Sequence, residues 1–90
     1  MSDISKMVSH RFERIFEKMR HERNLSPYEQ NAFVDALDMI ERHDLMGAFT
    51  ALAPLERDMV GRDILAERKG AAMSLSDIRE RFDNVKRKLT

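Results

Sequence analysis

The sequence predicts an all-α fold: one small domain, residues 1–90, built as a compact bundle of four to five helices with the first and last helices adjacent. Two apolar stripes near the ends of the chain recur at steps of four, three and four residues. Such spacing keeps the side chains on one helix face, which is buried by packing against another helix. Glycine and proline are scarce, and the alternating β-branched runs typical of strands are absent. We call the stripes the N-terminal seam, Val8, Phe12, Ile15 and Met19, and the C-terminal seam, Ile78, Phe82, Val85 and Leu89.

The first two helices are expected over residues 3–23 and 27–42. The start of the second is the clearest local signal in the chain. Ser26 and Glu29 have the spacing of a capping box, in which each side chain accepts a hydrogen bond from the backbone N–H of the other residue. Pro27 occupies the first helical position, where its missing N–H has no intrahelical partner to lose.

A short third helix is expected over residues 45–52. Pro54 disfavours helical geometry in the residue before it and suits the first turn of a fourth helix over residues 54–69, with Gly70 as the C-cap. One long helix over residues 45–69, kinked at Pro54, is the alternative. The sequence leaves both open.

The last helix is expected over residues 75–89. Ser74 and Asp77 form a second capping-box pattern at its start. Its final turn carries Lys86, Arg87 and Lys88, whose positive charges suit the negative end of a helix dipole.

Residues 36–45, followed by Ala48 and Leu52, resemble the helical hairpin of tetratricopeptide-like units. The resemblance implies antiparallel packing of the second and third helices, and it implies no function. Asp44 is expected to cap the third helix. His43 occupies the place where such hairpins carry glycine.

Composition limits the classes of function. The formal net charge is +0, so the chain as a whole is not drawn to nucleic acid or to anionic lipid. The absence of cysteine excludes disulfides and zinc–thiolate sites and favours a reducing compartment. The first residues lack the pattern of a signal peptide, and no apolar run is long enough for a membrane span, so a cytoplasmic location is expected.

The sequence contains no recognisable catalytic, metal-binding or phosphate-binding motif. The three histidines lack the spacing of H-E-x-x-H, and the three glycines do not form a phosphate-binding loop. No serine has the context of a nucleophile elbow. We therefore expect neither enzymatic activity nor a metal ion or cofactor.

The first functional hypothesis is a small non-enzymatic protein-interaction module, such as a regulator, an adaptor or a chaperone-like subunit, that associates with itself or with another protein. The first helix carries more apolar surface than one partner helix covers, and methionine is abundant at seven residues. Ordinary intramolecular packing is the competing interpretation, and the sequence favours it for most seam residues. The candidate interaction face consists of Met7, Phe12, Phe16 and Met19.

The alternative hypothesis is a nucleic-acid-associated regulator. The ends of the chain are mildly basic and its centre is acidic, so adjacent terminal helices would allow their basic residues to share one surface. A complete helix-turn-helix is absent, because the C-terminal seam continues where that motif needs a turn. A membrane partner is not expected, since acidic residues dilute the basic faces. The candidate phosphate contacts are Arg79, Lys86, Arg87 and Lys88.

Overall fold

A computed structural model of the protein describes residues 3–20, 25–57 and 72–89. Over these ranges the chain is helical without strands, which confirms the predicted all-α bundle. The elements are α1 (Asp3–Met19), α2 (Pro27–Glu41), α3 (Leu45–Arg57), α4 (Leu75–Val85) and a 3-10 turn (Lys86–Leu89) that continues α4.

Helix α1 is shorter than the sequence predicted. It ends at Met19, and Arg20 lies in a turn, whereas the prediction placed the end near Arg23. Met19 is the last buried residue of the N-terminal seam, and no apolar side chain follows before Leu25. A further helical turn would therefore bury no apolar side chain, and packing against the core supplies most of the stability of a short helix. The sequence predicts Ser2 as the N-cap of this helix. Ser2 and residues 21–24 lie outside the described residues.

Both predicted capping boxes are confirmed. Ser26 Oγ accepts from the Glu29 N–H at 3.1 Å, and Glu29 Oε1 accepts from the Ser26 N–H at 2.8 Å. At the start of α4, the reciprocal bonds between Ser74 and Asp77 measure 3.2 and 3.0 Å. The first box is buried and the second is exposed, so the same motif starts two helices in different surroundings.

The turn between α2 and α3 is a Schellman motif with histidine where glycine is usual. The Asp44 N–H donates to the Met39 carbonyl at 2.8 Å, and the His43 N–H donates to the Ile40 carbonyl at 2.9 Å. His43 has a φ of 62°, in the left-handed region. Asp44 then caps α3, as predicted, by accepting from the Gly47 N–H at 3.0 Å. This turn brings α2 and α3 into the most extensive helix contact of the described fold.

Replacing His43 with glycine is expected to raise the free energy of unfolding by about 1 kcal/mol, because glycine adopts a positive φ without the strain of a Cβ atom. His43→Ala is the matched control, since alanine keeps the Cβ atom and should bring no such gain. Urea denaturation of both variants checks the prediction. Equal stabilities of the glycine and alanine variants would contradict it.

Helix α3 decides between the two predictions that the sequence left open at Pro54. The first prediction ended the third helix near Leu52 and began a fourth at Pro54, but α3 runs through Pro54 to Arg57. Leu52 and Leu55 are buried on either side of the proline, and their packing holds the helix despite the missing N–H. The alternative of one continuous helix is confirmed as far as Arg57. Its continuation to residue 69 and the predicted cap Gly70 fall outside the described residues.

The last helix ends where the sequence predicted, although its final turn is tighter than α-helical. Residues 75–85 are α-helical and residues 86–89 form the 3-10 turn. Leu89, the last residue of the C-terminal seam, is 5% exposed. Its burial ties the end of the chain to the core.

Acidic residues from the centre of the chain pair with basic residues near its C-terminal end at the surface of the fold. Arg81 Nη2 donates to Asp38 Oδ1 at 2.7 Å, and Lys88 Nζ donates to Glu41 Oε2 at 2.8 Å. Both bonds join α2 to the last helix and its 3-10 turn. The uneven charge along the sequence therefore serves contacts between the described helices.

Candidate functional site

The centre of the core is a cluster of phenylalanine rings from three helices. The Phe12 and Phe82 rings stack with centroids 4.2 Å apart, which makes α1 and α4 neighbours as predicted. Phe16 and Phe33 complete the cluster at 5.9 Å from each other. Such ring pairs add to the stabilisation that burial of their apolar area provides.

The structure divides the candidate interaction face. Phe12, Phe16 and Met19 are 0%, 4% and 1% exposed, so they belong to the core of this chain. Met7 is 45% exposed. Three of the four residues are therefore covered by the protein's own helices in the described fold, and Met7 alone presents a large apolar surface.

Helices α1 and α3 pack against each other, and the contact is charged toward the C-terminal ends of both helices. Arg11 and Arg14 both donate to the Glu56 carboxylate, Arg14 Nε at 2.8 Å, and Lys18 donates to the Glu56 carbonyl. Arg11 also donates to the Phe49 carbonyl at 2.9 Å, and its guanidinium lies 3.7 Å from the centre of the Phe49 ring. The hydrogen bond from Arg14, together with the bond and charge of Arg11, holds the pKa of Glu56 below its usual 4.5 against the opposing effect of burial.

The lowered pKa of Glu56 has a consequence for stability. A carboxylate with a depressed folded-state pKa stabilises the fold above its ordinary value, here 4.5, and this contribution is lost as the pH falls through the lowered pKa. We expect Glu56→Gln to lower the free energy of unfolding at pH 7 by about 1 kcal/mol and to flatten its decline below about pH 4.5.

Urea denaturation between pH 3 and pH 7 measures both effects of Glu56→Gln. The matched control is Asp35→Asn, because Asp35 is an exposed carboxylate on α2. This control should keep the decline of the parent protein. Parallel declines for the parent and Glu56→Gln would show that the Glu56 carboxylate contributes nothing to the α1–α3 contact.

The other end of the α1–α3 contact is apolar. Met7 precedes Arg11 by one turn of α1, and Met46 precedes Phe49 by about one turn of α3. Because Arg11 bonds to Phe49, both methionines lie at the same end of this contact. Met46 is 64% exposed, and Leu45 beside it is half-buried. We call Met7 and Met46 the methionine end.

The sequence did not single out Met46. The inner face of α3 carries Leu45, Ala48, Phe49 and Leu52, and all four are buried or half-buried. Met46 lies off that face, where a lone methionine carries no signal by itself. Met46 becomes notable only because the packing of α3 against α1 places it at the same end of the contact as Met7.

Carboxylates of the same chain pair with Arg79, Lys86 and Lys88, and Arg87 also has an interaction within the chain. Arg79 donates to Glu13 at 2.8 and 3.3 Å, Lys86 lies 3.2 Å from Asp83, and Lys88 bonds to Glu41.

The four candidate contacts are also spread over different surfaces. Arg79 lines a groove of about 390 Å³ between α1 and α4, together with Phe16 and Glu17. Lys86 and Arg87 line a second groove of about 470 Å³, described next. The structure thus brings Lys86 and Arg87 together and separates them from Arg79.

The second groove lies between the N-terminal half of α1 and the end of the chain. Lys6, to which no sequence pattern pointed, joins Lys86 and Arg87 there. We call this feature the basic groove; its lining residues are Ser5, Lys6, Ser9, His10, Asp83, Lys86, Arg87 and Leu89.

The described residues offer neither a metal site nor a membrane-spanning helix. Residues 3–20, 25–57 and 72–89 contain no group of three or more His, Asp or Glu side chains placed to hold a metal ion. Within the same ranges, no helix combines the length and apolarity that crossing a bilayer requires.

Comparison of the chain with protein-family models, with curated proteins and with solved structures gives no match.

Proposed function

We propose that this protein is a small non-enzymatic interaction module, a regulator or adaptor, that binds a second copy of itself or another protein through the methionine end. The observation that carries the proposal is the exposure of Met7 and Met46, 45% and 64%, at one end of the α1–α3 contact. The cytoplasmic location expected from the sequence is part of the same proposal.

The position of the two methionines supports this proposal. A single exposed apolar side chain is normal on a protein surface and needs no explanation. Met7 and Met46 are two such side chains at one end of one helix pair, and Leu45 and Phe49, on the same helix as Met46, are half-buried. Methionine is unbranched and polarisable, so it adapts to the shape of a partner better than leucine or valine does.

The distribution of charge favours a protein partner over nucleic acid. Binding to a nucleic-acid backbone needs a run of cations that are free to neutralise successive phosphates. In the described fold, Arg79, Arg81 and Lys88 each bond to a carboxylate of another helix. The nucleic-acid-associated regulator remains the alternative, and the experiment below separates the two.

The proposal is tested with Met7→Glu, Met46→Glu and the double variant. Glutamate is a good helix former, so these variants should keep their helices while placing a charge on the apolar surface. Tyr28→Glu is the matched control, because Tyr28 is 52% exposed at the start of α2, away from the methionine end. Circular dichroism checks that each variant is folded.

Two measurements read out binding: sedimentation equilibrium of the purified protein, and capture of partners by the tagged protein from a host lysate with and without nuclease. We expect the parent and Tyr28→Glu to retain the same self-association or protein partner after nuclease treatment. The double variant should lose at least about tenfold in affinity, the effect of burying an unpaired charge. Undiminished binding by the double variant would refute the methionine end as the binding surface. Captured proteins that are lost after nuclease treatment would favour the nucleic-acid-associated regulator.

A further inference from the structure

The methionines of the described residues fall into two groups by exposure. Met7 and Met46, which form the methionine end, are 45% and 64% exposed. Met19 is 1% exposed, and Met39 and Met73 are half-buried against the core. Because the chain contains no cysteine, its methionines carry all of its sulfur. The sulfur atoms that an oxidant in water reaches most readily in the described fold are therefore those of the methionine end.

Oxidation of a thioether changes its polarity. In the reaction with hydrogen peroxide, a lone pair of the sulfur attacks one peroxide oxygen, the O–O bond breaks and an S–O bond forms. The departing hydroxide takes up the proton of the transferred oxygen and leaves as water. Sulfur loses two electrons, which the peroxide gains. The product is methionine sulfoxide, which is polar where the thioether was apolar.

We infer that Met7 and Met46 form an oxidation site, and that their conversion to sulfoxides by a peroxide releases the partner bound at the methionine end. The inference rests on the proposed function, because it assigns a regulation to the same surface. A sulfoxide oxygen is a hydrogen-bond acceptor that must lose its water to enter an apolar interface, and an interface complementary to a thioether supplies it no donor. Oxidation therefore weakens the bound state and leaves the free protein solvated.

The helical bundle does not depend on these two sulfur atoms. Met7 and Met46 lie outside the buried core cluster, whose centre is the stack of Phe12 on Phe82 at 4.2 Å. Met19, which belongs to that cluster, is shielded by the surrounding side chains. Oxidation of the methionine end is also reversible, because reductases with a dithiol donor restore the thioether. The donor becomes a disulfide and the oxygen leaves as water.

The site itself is tested by treating the folded full chain with hydrogen peroxide and measuring the sulfoxide at each methionine by peptide mass spectrometry. We expect Met7 and Met46 to be converted at least about tenfold faster than Met19, whose sulfur the core shields. Circular dichroism should show unchanged helicity when both are converted. Equal rates at Met19 and at the methionine end would overturn the inference, and so would unfolding that accompanies conversion of Met7 and Met46.

The effect on binding is tested with the double variant Met7→Leu, Met46→Leu. Leucine is apolar, has a similar volume and has no sulfur to oxidise. Sedimentation equilibrium measures self-association, and capture measures binding of the protein that the untreated chain retains. We expect peroxide to weaken binding by the parent at least about tenfold, because the sulfoxide oxygens lose their water in the interface. The leucine double variant should lose less than about twofold, since its methionine end cannot be oxidised.

Met73→Leu is the matched control. Met73 is half-buried, and its N–H donates to the Gln30 side chain of α2 at 2.7 Å, away from the methionine end. This control should lose binding after peroxide treatment as the parent does. The leucine double variant keeps the other methionines of the chain, so a parallel loss of its binding would place the effect elsewhere and overturn the inference.

The untreated protein separates this inference from the proposed function. Undiminished binding by the double variant Met7→Glu, Met46→Glu, before any peroxide is added, would refute the methionine end as the binding surface. Undiminished binding by the parent after both sulfur atoms are oxidised would overturn the oxidation site as a control of binding, and would leave the proposed function intact.

Discussion

Phe12→Ala is expected to lower the free energy of unfolding by about 3–5 kcal/mol, the usual range for removing a buried phenylalanine. The Phe12 ring is fully buried and contacts rings from its own helix, from α2 and from α4. Alanine would leave a cavity at the point where three helices meet. For a chain of 90 residues such a loss is a large part of the total stability of about 5–13 kcal/mol.

Urea denaturation followed by circular dichroism measures the effect of Phe12→Ala. Tyr28→Ala is the control, because it truncates an aromatic side chain that is 52% exposed. The control should change stability by less than about 0.5 kcal/mol. If Phe12→Ala left stability unchanged and instead abolished association, Phe12 would belong to an interaction face, as the sequence hypothesis held.

Glu29→Ala is expected to lower the free energy of unfolding by about 2 kcal/mol, more than the loss of an exposed cap. Glu29 is 2% exposed, and the Ser26 residue whose N–H it accepts is fully buried. Alanine would leave that N–H without its acceptor and away from water. Glu29→Gln keeps an acceptor oxygen at the same reach and should retain more of the stability than Glu29→Ala does.

The second capping box supplies an internal comparison for Glu29. Asp77→Ala removes the equivalent bond to the Ser74 N–H, but this box is exposed and water replaces the lost acceptor. Its expected loss is about 0.5–1 kcal/mol. Urea denaturation of Glu29→Ala, Glu29→Gln and Asp77→Ala tests the ranking. Equal losses for Glu29→Ala and Asp77→Ala would show that burial of the first box adds nothing.

The helix starts were predictable because capping is local. Ser26 with Glu29, and Ser74 with Asp77, satisfy backbone donors through side chains three residues away, so the pattern is complete within the sequence. Helix ends were less predictable. Met19 ends α1 where apolar side chains run out, and Pro54 fails to interrupt α3 because Leu52 and Leu55 are packed on either side of it.

For the candidate sites, too, the sequence predicts the local features and the fold decides the rest. The seams identified Phe12 and Phe82 as residues that must be buried, but their spacing is the same whether the covering helix comes from this chain or from a partner. The contact of Phe12 with Phe82 at 4.2 Å shows that the chain covers them itself. The basic groove depends on residues 6 and 86–87, whose proximity no local pattern records.

The sequence by itself determined the helical class, the two capped helix starts and the apolar faces, because each depends on side chains within a few residues of one another. Only the tertiary structure decided which apolar residues stay exposed, which cations meet carboxylates and which converge in a groove. Those outcomes depend on the register between helices, which many side chains set together. The exposed pair of Met7 and Met46 is the clearest case, since neither residue is distinctive until α1 and α3 are placed side by side.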